Sequence, residues 1–260
     1  MKNIMILLSV LFIFQTVSAQ DLGLFEKKMY ISGTDTLRYR ILYPENYKKK
    51  KAYPLIVFLH GSGERGSDNE AQLIHGGKLF LTEKNRKKFS AIVVFPQCPK
   101  DSAWVKIKRD KDKRVFLSNE SPSTSTKLVK ELMDGMLANK IVNKQKIYLG
   151  GLSLGGFGTY DMLIRYPGYF SAAFPICGAC NIPLYMERAG NMPLWIFHGA
   201  MDKSVSPESD RELYKTLISR GDKNITYTEY PTMGHNSWDS AFIEPKLLPW
   251  LFSNKNKKAK

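Results

Sequence analysis

The stretch Gly151–Gly155, with the sequence Gly-Leu-Ser-Leu-Gly, has the spacing of a tight turn that presents a serine hydroxyl. Residues 146–149 form an apolar run typical of a buried strand, and residues 156–165 carry apolar side chains at helical spacing. This order of elements would present Ser153 at the carboxyl end of a sheet and at the positive end of a helix. Since the short pattern arises by chance in roughly one chain in ten of this length, the prediction of a nucleophilic serine depends on its partners.

A serine hydroxyl becomes a useful nucleophile when a base accepts its proton and a third group orients that base. The chain contains four histidines. We expect His60 to shape the glycine-rich loop that follows it, His75 to lie on a helix and His198 to precede a tight turn. His235 follows the last predicted strand in a loop that can reach across the sheet edge. We therefore predict His235 as the base.

The third group is predicted to be Asp202, which lies in the loop immediately after the predicted strand 194–198. Three competing acids fall on predicted helices instead. These are Asp161, Glu208 and Asp210. The resulting chain order is Ser153, Asp202, His235, the order of nucleophile, acid and base found in α/β-hydrolases.

An oxyanion hole needs two backbone N–H groups that point at one position. The amide that follows the nucleophile, that of Leu154, supplies the first. The second is expected from the loop after the strand that ends at His60. We predict Ser62 for this role, with Gly63 as the alternative.

The elements that must position these groups follow from the apolar pattern, in which continuous apolar runs alternate with stretches of helical spacing. The predicted strands are 53–60, 91–95, 146–149, 172–176, 194–198 and 225–230, after an edge hairpin that includes 36–43. The predicted helices are 69–81, 126–141, 156–165, 207–220 and 245–252. Residues 97–123 are the longest stretch without a predicted element. The alternation predicts one α/β domain over 20–260, with a mostly parallel sheet and helices on both faces.

Residues 1–19 have the features of a secretory signal peptide, namely a lysine, an apolar stretch and a small-residue cleavage site. We therefore expect a secreted or periplasmic protein without membrane attachment after cleavage. The formal net charge is +15, and the basic runs are expected to be solvated loops. No nucleic-acid motif accompanies them, so no nucleic-acid partner is expected. Attraction to acidic polymers and the oligomeric state stay open.

The chain has three cysteines, Cys98, Cys177 and Cys180. Their odd number excludes a complete disulfide framework. The spacing of Cys177 and Cys180 allows a local bridge, and the alternative is two small buried side chains at strand ends. Because no second pair completes a zinc site and no histidine clusters with acids or cysteines, we expect neither a metal nor an organic cofactor.

Five motifs together resemble those of secreted bacterial α/β-hydrolase esterases, including feruloyl and acetyl-xylan esterases and relatives described as predicted peptidases or phospholipase/carboxylesterase-like proteins. The motifs are 60–66, 96–99 with Trp104, 151–156, 198–202 and 234–238. The resemblance implies the α/β-hydrolase fold and serine esterase activity. It is much less specific for the substrate.

Residues 177–191 are too few for a cap domain, so the predicted site is open and can admit a polymer side chain. Trp104, Trp238 and Gln97 are predicted to contact substrate, with packing of the rim as the alternative for the two tryptophans. We also expect Glu64 to pair with Arg65. The predicted function is hydrolysis of acyl or feruloyl esters on plant cell-wall polysaccharides. The alternatives are a serine peptidase and a non-catalytic carbohydrate-binding homologue.

Overall fold

A computed structural model of the chain describes residues 21–110 and 113–256. The predicted signal peptide lies outside these residues. An eight-stranded sheet organises most of them, and a separate hairpin contributes two more strands. The strands are β1 (Glu26–Ser32), β2 (Asp35–Leu42), β3 (Tyr53–Leu59), β4 (Ile92–Gln97), β5 (Ile107–Asp110), β6 (Lys113–Phe116), β7 (Val142–Leu152), β8 (Ala172–Ile176), β9 (Leu194–Gly199) and β10 (Ile225–Tyr230).

The order across the large sheet is β1-β2-β4-β3-β7-β8-β9-β10. Strand β2 is antiparallel to both of its neighbours, β1 and β4, and every other neighbouring pair is parallel. The predicted mostly parallel sheet is therefore confirmed. Because parallel strands end at a common edge, the loops after β3, β7, β9 and β10 meet at one side of the molecule.

Helices cover both faces of the sheet. They are α1 (Glu83–Lys88), α2 (Thr124–Ala138), α3 (Leu154–Arg165), α4 (Ile182–Arg188), α5 (Glu208–Ser219), α6 (Trp238–Phe242) and α7 (Leu247–Ser253). Strand β3 shows why both faces need cover: Leu55 and Val57 belong to the apolar core under α2 and α3, whereas Ile56 and Phe58 belong to the core under α7. Within the described residues, no helix has the length and apolar character that a bilayer crossing requires.

The short helices α1, α4 and α6 and the full length of β7 were not predicted, and two further stretches also differ from the predictions. Residues 69–81 do not form one helix but two short 3-10 turns, Ala71–Leu73 and Gly77–Phe80. Gly76 lies between them, and its φ of +89° is incompatible with a continuous helix. Residues 97–123, for which no element was predicted, contain the hairpin of β5 and β6.

Candidate active site

Ser153 lies on the sharp turn between β7 and α3. Its backbone has φ +53° and ψ −116°, a conformation that is unfavourable for any residue with a Cβ. The flanking glycines leave no room for side chains. A Cβ at Gly155 would lie 1.9 Å from the carbonyl oxygen of Leu59, and one at Gly151 would lie 2.3 Å from that of Gly155. The glycines therefore let α3 pack directly against β3 and leave Ser153 half-buried at the carboxyl edge.

The structure brings Ser153, His235 and Asp202 together at this edge. Ser153 Oγ lies 2.9 Å from His235 Nε2, and His235 Nδ1 lies 2.7 Å from Asp202 Oδ2. The three residues follow β7, β10 and β9 respectively. In this arrangement the serine hydroxyl donates to Nε2 while the Nδ1–H group donates to the carboxylate, so the imidazole is oriented to accept the serine proton.

The carboxylate of Asp202 is buried and held by several donors. Its Oδ1 atom accepts the backbone N–H groups of Ser204 and Val205, at 2.8 and 2.9 Å. Burial acts to raise the pKa of Asp202, but the hydrogen bonds from His235 and from these two amides outweigh it and hold the pKa below its usual value. Asp202 is therefore ionised when an adjacent imidazolium forms.

The two residues predicted to supply oxyanion-hole amides lie beside Ser153. Leu154 is the first residue of α3, so its N–H group has no intrahelical acceptor. Residues 61–70, here called the oxyanion loop, pass close to the serine, because a Cβ built at Gly61 would lie 3.6 Å from Ser153 Cβ. Ser62 comes next in this loop and is exposed. The positions of Leu154 and of this loop allow the expected oxyanion hole, and the roles of the two amides stay a prediction.

Arg65 holds the oxyanion loop, but not through Glu64 as expected. Its guanidinium donates to the carbonyl oxygens of Ser62 and Ser102, at 3.0 and 3.1 Å. Glu64 instead faces His75, with 3.7 Å between Oε1 and Nε2. The arginine therefore clamps the loop through backbone oxygens, and an ion pair between the two neighbouring side chains is not formed.

His60 anchors the start of the oxyanion loop from inside the protein. Its Nδ1–H group donates to Gly61 O at 2.6 Å, and its Nε2 atom accepts the N–H group of Cys98 at 2.9 Å. The side chain is 1% exposed, and burial lowers its pKa to about 4. His60 is thus a neutral structural histidine, which agrees with the role predicted for it.

The prediction that Trp104 contacts substrate is wrong. The indole is completely buried and its Nε1–H group donates to His60 O at 2.9 Å. Its backbone oxygen accepts the hydroxyl of Thr126 at the start of α2. Trp104 packs closely against α3, because a Cβ built at Gly158 would lie 2.4 Å from the Cβ of Trp104. It is a core residue that supports the end of β3.

Gln97 also does not contact substrate, and that prediction is wrong too. The side chain is 1% exposed and all its bonds go to the oxyanion loop. Its Oε1 atom accepts the Asn69 N–H group at 2.8 Å, while Nε2 donates to Glu64 O at 3.2 Å and to Asp68 Oδ1 at 3.0 Å. Gln97 therefore ties the end of β4 to this loop.

Trp238, the third predicted substrate contact, lies at the site. Its ring centroid is 5.3 Å from that of His235, in an edge-to-face arrangement, and 5.1 Å from that of His75. The side chain is half-buried. Its Nε1 atom is buried and has no hydrogen-bond partner among the described residues. The ring therefore packs against the imidazole of His235, and a role in substrate contact stays a prediction.

Sequence reasoning missed a second histidine–aspartate pair beneath the first. His198 Nδ1 lies 2.7 Å from Asp210 Oδ2, and both side chains are fully buried. The sequence signal was available in part, because His198 ends the same strand that Asp202 follows. Asp210 was assigned to a helix, which is correct, but the pattern did not reveal that α5 directs this carboxylate at the strand end.

One group of described residues brings three potential metal-ligating atoms within 4.8 Å of one another, namely Cys177, Asp202 and His235. The aspartate and histidine already bind each other. Burial raises the pKa of the Cys177 thiol far above its usual value. Because His235 contacts both Asp202 and Ser153, we assign these atoms to the serine site. Cys177 and Cys180 are both free thiols, so the local bridge is not formed.

No described element covers the site as a cap would. Between β8 and β9 the chain forms one short helix, α4, which packs against α3 and α5 on one face of the sheet. The side chain of His235 is 25% exposed. Ser153 and the imidazole are therefore reached directly from solvent.

Residues 46–244 match the sequence pattern of a protein family described as phospholipase/carboxylesterase. A probable carboxylesterase (SOBER1-like) of Arabidopsis thaliana is 25% identical over 234 residues, which cover 82% of this chain and 80% of that protein. A poly(3-hydroxyoctanoate) depolymerase of Pseudomonas fluorescens is 32% identical over 118 residues. That match covers 42% of this chain, and the chain spans only 41% of the depolymerase.

Among solved structures, a thermostable esterase superposes on this chain with a TM-score of 0.81 and 30% sequence identity. The superposition covers 90% of this chain and 64% of the esterase. The likeness therefore extends over most of this chain.

Proposed function

The chain belongs to the phospholipase/carboxylesterase family, and from this premise we propose that it is a serine carboxylesterase acting through an acyl-enzyme on Ser153. The proposed substrates are acyl or feruloyl esters on plant cell-wall polysaccharides. One observation carries the proposed chemistry: the hydrogen bonds from Ser153 Oγ to His235 and from His235 to Asp202.

In the first half of the reaction, Ser153 Oγ forms a bond to the ester carbonyl carbon while its proton passes to His235 Nε2. The carbonyl oxygen becomes an oxyanion that the Ser62 and Leu154 amides would stabilise. Collapse of this intermediate breaks the bond to the alcohol oxygen, which takes the proton from Nε2. The products are the free alcohol and an acyl group on Ser153. Asp202 stabilises the imidazolium that forms between these two proton transfers.

In the second half, a water molecule attacks the acyl carbon and gives one proton to His235 Nε2. A second oxyanion forms at the same amides. Its collapse releases the carboxylic acid and returns the proton to Ser153 Oγ, so the enzyme is regenerated. Both halves use the same base, and no further reactant besides water is needed.

The choice of an ester carried by a large alcohol rests on access to the site. The described residues include no cap over Ser153, and Trp238 offers a flat apolar ring beside His235. An ester on a polymer can approach such an open edge without entering a closed pocket. We also propose that the signal peptide predicted at residues 1–19 exports the protein to where such polymers occur.

A second candidate substrate is an aliphatic polyester, because one relative carries the name poly(3-hydroxyoctanoate) depolymerase. Two exposed apolar side chains favour this candidate. Met201, next to Asp202, is 59% exposed, and Ile243, just after α6, is 80% exposed. Such side chains suit contact with an apolar polymer surface.

The test compares purified wild-type protein with Ser153→Ala. The substrates are p-nitrophenyl acetate, methyl ferulate, acetylated xylan, a poly(3-hydroxyalkanoate) film and a peptide amide. We expect turnover of the small esters to fall by about 10⁶-fold in the variant. We expect the wild-type protein to hydrolyse acetylated xylan or methyl ferulate faster than the poly(3-hydroxyalkanoate) film.

Each other outcome identifies an alternative. Faster release from the polyester film would favour the second candidate, and amide turnover at rates comparable to ester turnover would favour a peptidase. Absence of turnover by folded wild-type protein on all five substrates would contradict the proposed chemistry and favour a binding protein.

A further inference from the structure

The buried imidazole of His198 is surrounded by hydrogen-bond acceptors. Its Nδ1 atom lies 2.7 Å from Asp210 Oδ2. Its Nε2 atom lies 3.0 Å from Val205 O and 3.3 Å from Asp202 Oδ2. Among the described residues, the atoms that contact the two ring nitrogens are therefore two carboxylates and one carbonyl. A neutral ring would direct a lone pair at one of them, whereas an imidazolium donates from both nitrogens.

The electrostatics agree with a charged ring. Burial acts to lower the pKa of His198, but the hydrogen bond to Asp210 and the charges of Asp210 and Asp202 outweigh it, so the pKa lies above its usual value. Burial raises the pKa of Asp210 above its usual value, but the hydrogen bonds that its carboxylate accepts, first of all from His198, favour the charged form. Its Oδ1 atom accepts the hydroxyl of Tyr160 at 2.6 Å, and the backbone N–H group of Gly178 also donates to it.

The buried pair of His198 and Asp210 contacts the triad at one atom, Oδ2 of Asp202. Asp202 Oδ2 is the oxygen that accepts His235 Nδ1–H, at 2.7 Å, and it is also the oxygen 3.3 Å from His198 Nε2. Tyr160, Asp210, His198, Asp202, His235 and Ser153 therefore form a continuous line of polar contacts from α3 to the reacting hydroxyl. The carboxylate of Asp202 thus has an imidazole on each side.

We propose that His198 and Asp210 are positioning residues for ester hydrolysis, acting as a buried ion pair that keeps Asp202 charged and aimed at His235. The proposal rests on the proposed function of Ser153 as the nucleophile. His198 Nε2 lies 3.3 Å from Asp202 Oδ2, the oxygen that faces His235, so rotation of this carboxylate away from His235 would also break its contact with the buried cation. Asp210 supplies the charge that makes this cation stable in the interior.

The pair also balances charge beneath the base. Asp202 and Asp210 contribute two negative charges and His198 one positive charge, which leaves a single negative charge facing His235. The other titratable groups around His198 and Asp210 are either uncharged or farther from them than Asp202 is. They are Tyr160 on α3, Cys177 and Cys180 after β8, and Tyr227 and Glu229 on β10. The charge of the cluster therefore depends chiefly on His198.

The first test removes the positive charge of His198 but keeps a polar side chain at this position. In His198→Gln, two buried carboxylates face His235 with no cation between them. The extra negative charge favours the imidazolium form of His235, which cannot act as a base. We expect the acid limb of the kcat/KM–pH profile to move upward by about 1 pH unit. We expect kcat at pH 7 to fall by about tenfold.

The double variant His198→Gln/Asp210→Asn restores a single negative charge beneath His235. We expect its acid limb to return toward the wild-type position and part of the lost kcat to be recovered. Asp161→Asn is the matched control, because Asp161 is another buried carboxylate paired with a cation, Arg165, at 2.6 Å. Its acid limb should not move. An unmoved limb in folded His198→Gln, or a double variant that is worse than the single one, would overturn the proposal.

A second measurement does not depend on activity or on a variant that folds. The wild-type protein is labelled with ¹⁵N-histidine and its imidazole signals are recorded at pH 7.5. We expect one ring with two exchange-protected N–H protons and imidazolium nitrogen shifts, which is His198. If all four rings are neutral, the ion pair does not exist and the proposal is wrong. A charged ring in a protein without esterase activity would instead contradict only the proposed function.

Discussion

Two buried histidines on either side of Ser153 have opposite electrostatic character. His60 directly follows β3 and His198 lies near the end of β9, and neither is more than 1% exposed. His60 contacts one donor and one acceptor, and its pKa is lowered to about 4. His198 contacts acceptors on both ring nitrogens, and its pKa is raised. Burial is common to both, so the partners of each ring decide its charge.

The same difference separates the two loops that flank the serine. The oxyanion loop is held by uncharged groups, chiefly His60 and Gln97, together with the Arg65 clamp on backbone oxygens. The loop that carries Asp202 is held by the carboxylate of Asp202 itself, which lies between the imidazoles of His235 and His198. We therefore expect the two sides to respond differently to charge-changing substitutions and to pH.

The largest effect is expected on the charged side. Asp202→Asn keeps the shape of the side chain but removes the charge and directs an amide N–H group or a weaker acceptor at His235. Because the imidazole then loses its orientation and its counter-charge, kcat for p-nitrophenyl acetate should fall by about 10⁴-fold. Asp239→Asn is the control, since Asp239 is exposed and four residues from His235. Loss of activity by only about tenfold in Asp202→Asn would show that another acid serves the base.

On the uncharged side, the expected effect is a pH dependence of stability. The unfolded chain protonates His60 near its ordinary pKa of about 6.5, whereas the folded protein resists protonation until the pH approaches 4. The unfolded state therefore binds more protons between these values, and the free energy of unfolding should fall by about 3 kcal/mol as the pH drops through this window.

This contribution is measured by urea unfolding at pH 6.5 and 4.5 for the wild type and for His60→Gln. The glutamine can donate to one partner and accept from the other without titrating, so the variant should be less sensitive to this change of pH. Equal pH sensitivity of the two proteins would show that His60 is not the group responsible.

A smaller effect is expected for Gln97→Ala. The substitution leaves the buried N–H group of Asn69 without its acceptor, which should lower the free energy of unfolding by about 2 kcal/mol. Because Gln97 ties down the oxyanion loop, kcat should fall by about tenfold while KM changes little. Gln145→Ala, at an exposed position, is the control. A raised KM with unchanged kcat would instead indicate that Gln97 contacts substrate.

The smallest expected effect is a difference in stability between variants of Trp104 and Trp238. Trp104→Phe leaves the carbonyl oxygen of His60 without the indole donor and should lower the free energy of unfolding by about 1 kcal/mol. Trp238→Phe removes an N–H group that has no partner among the described residues, so its effect on stability should be smaller. Urea midpoints at pH 7 compare the two variants. The reverse order would show that the indole of Trp238 has a bound partner in solution.

The sequence allowed the triad to be located because each member follows a strand that the sequence pattern predicted. The strands at 172–176 and 225–230 were predicted with the bounds that the structure has. Since parallel strands end at one edge, recognising the strands was enough to predict that Ser153, Asp202 and His235 meet. The predicted helices contributed by excluding Asp161, Glu208 and Asp210 as the acid.

The errors have a different origin. Trp104 and Gln97 belong to a long segment whose path depends on contacts with α2 and with the oxyanion loop. Local spacing carries no information about such contacts. The same holds for His198, because its charge depends on Asp210, whose carboxylate α5 brings to the end of β9. Gly76 shows a third limit, since its positive φ interrupts a stretch that has helical spacing.

The backbone of Ser153 imposes a penalty on the folded chain. At φ +53° and ψ −116°, a residue with a Cβ is strained by about 1–3 kcal/mol, whereas glycine is not. A glycine at this position would consequently yield an inert protein that withstands heat better than the natural one. The nucleophile is thus retained at the expense of thermal robustness, as in other enzymes whose reactive groups trade stability for activity.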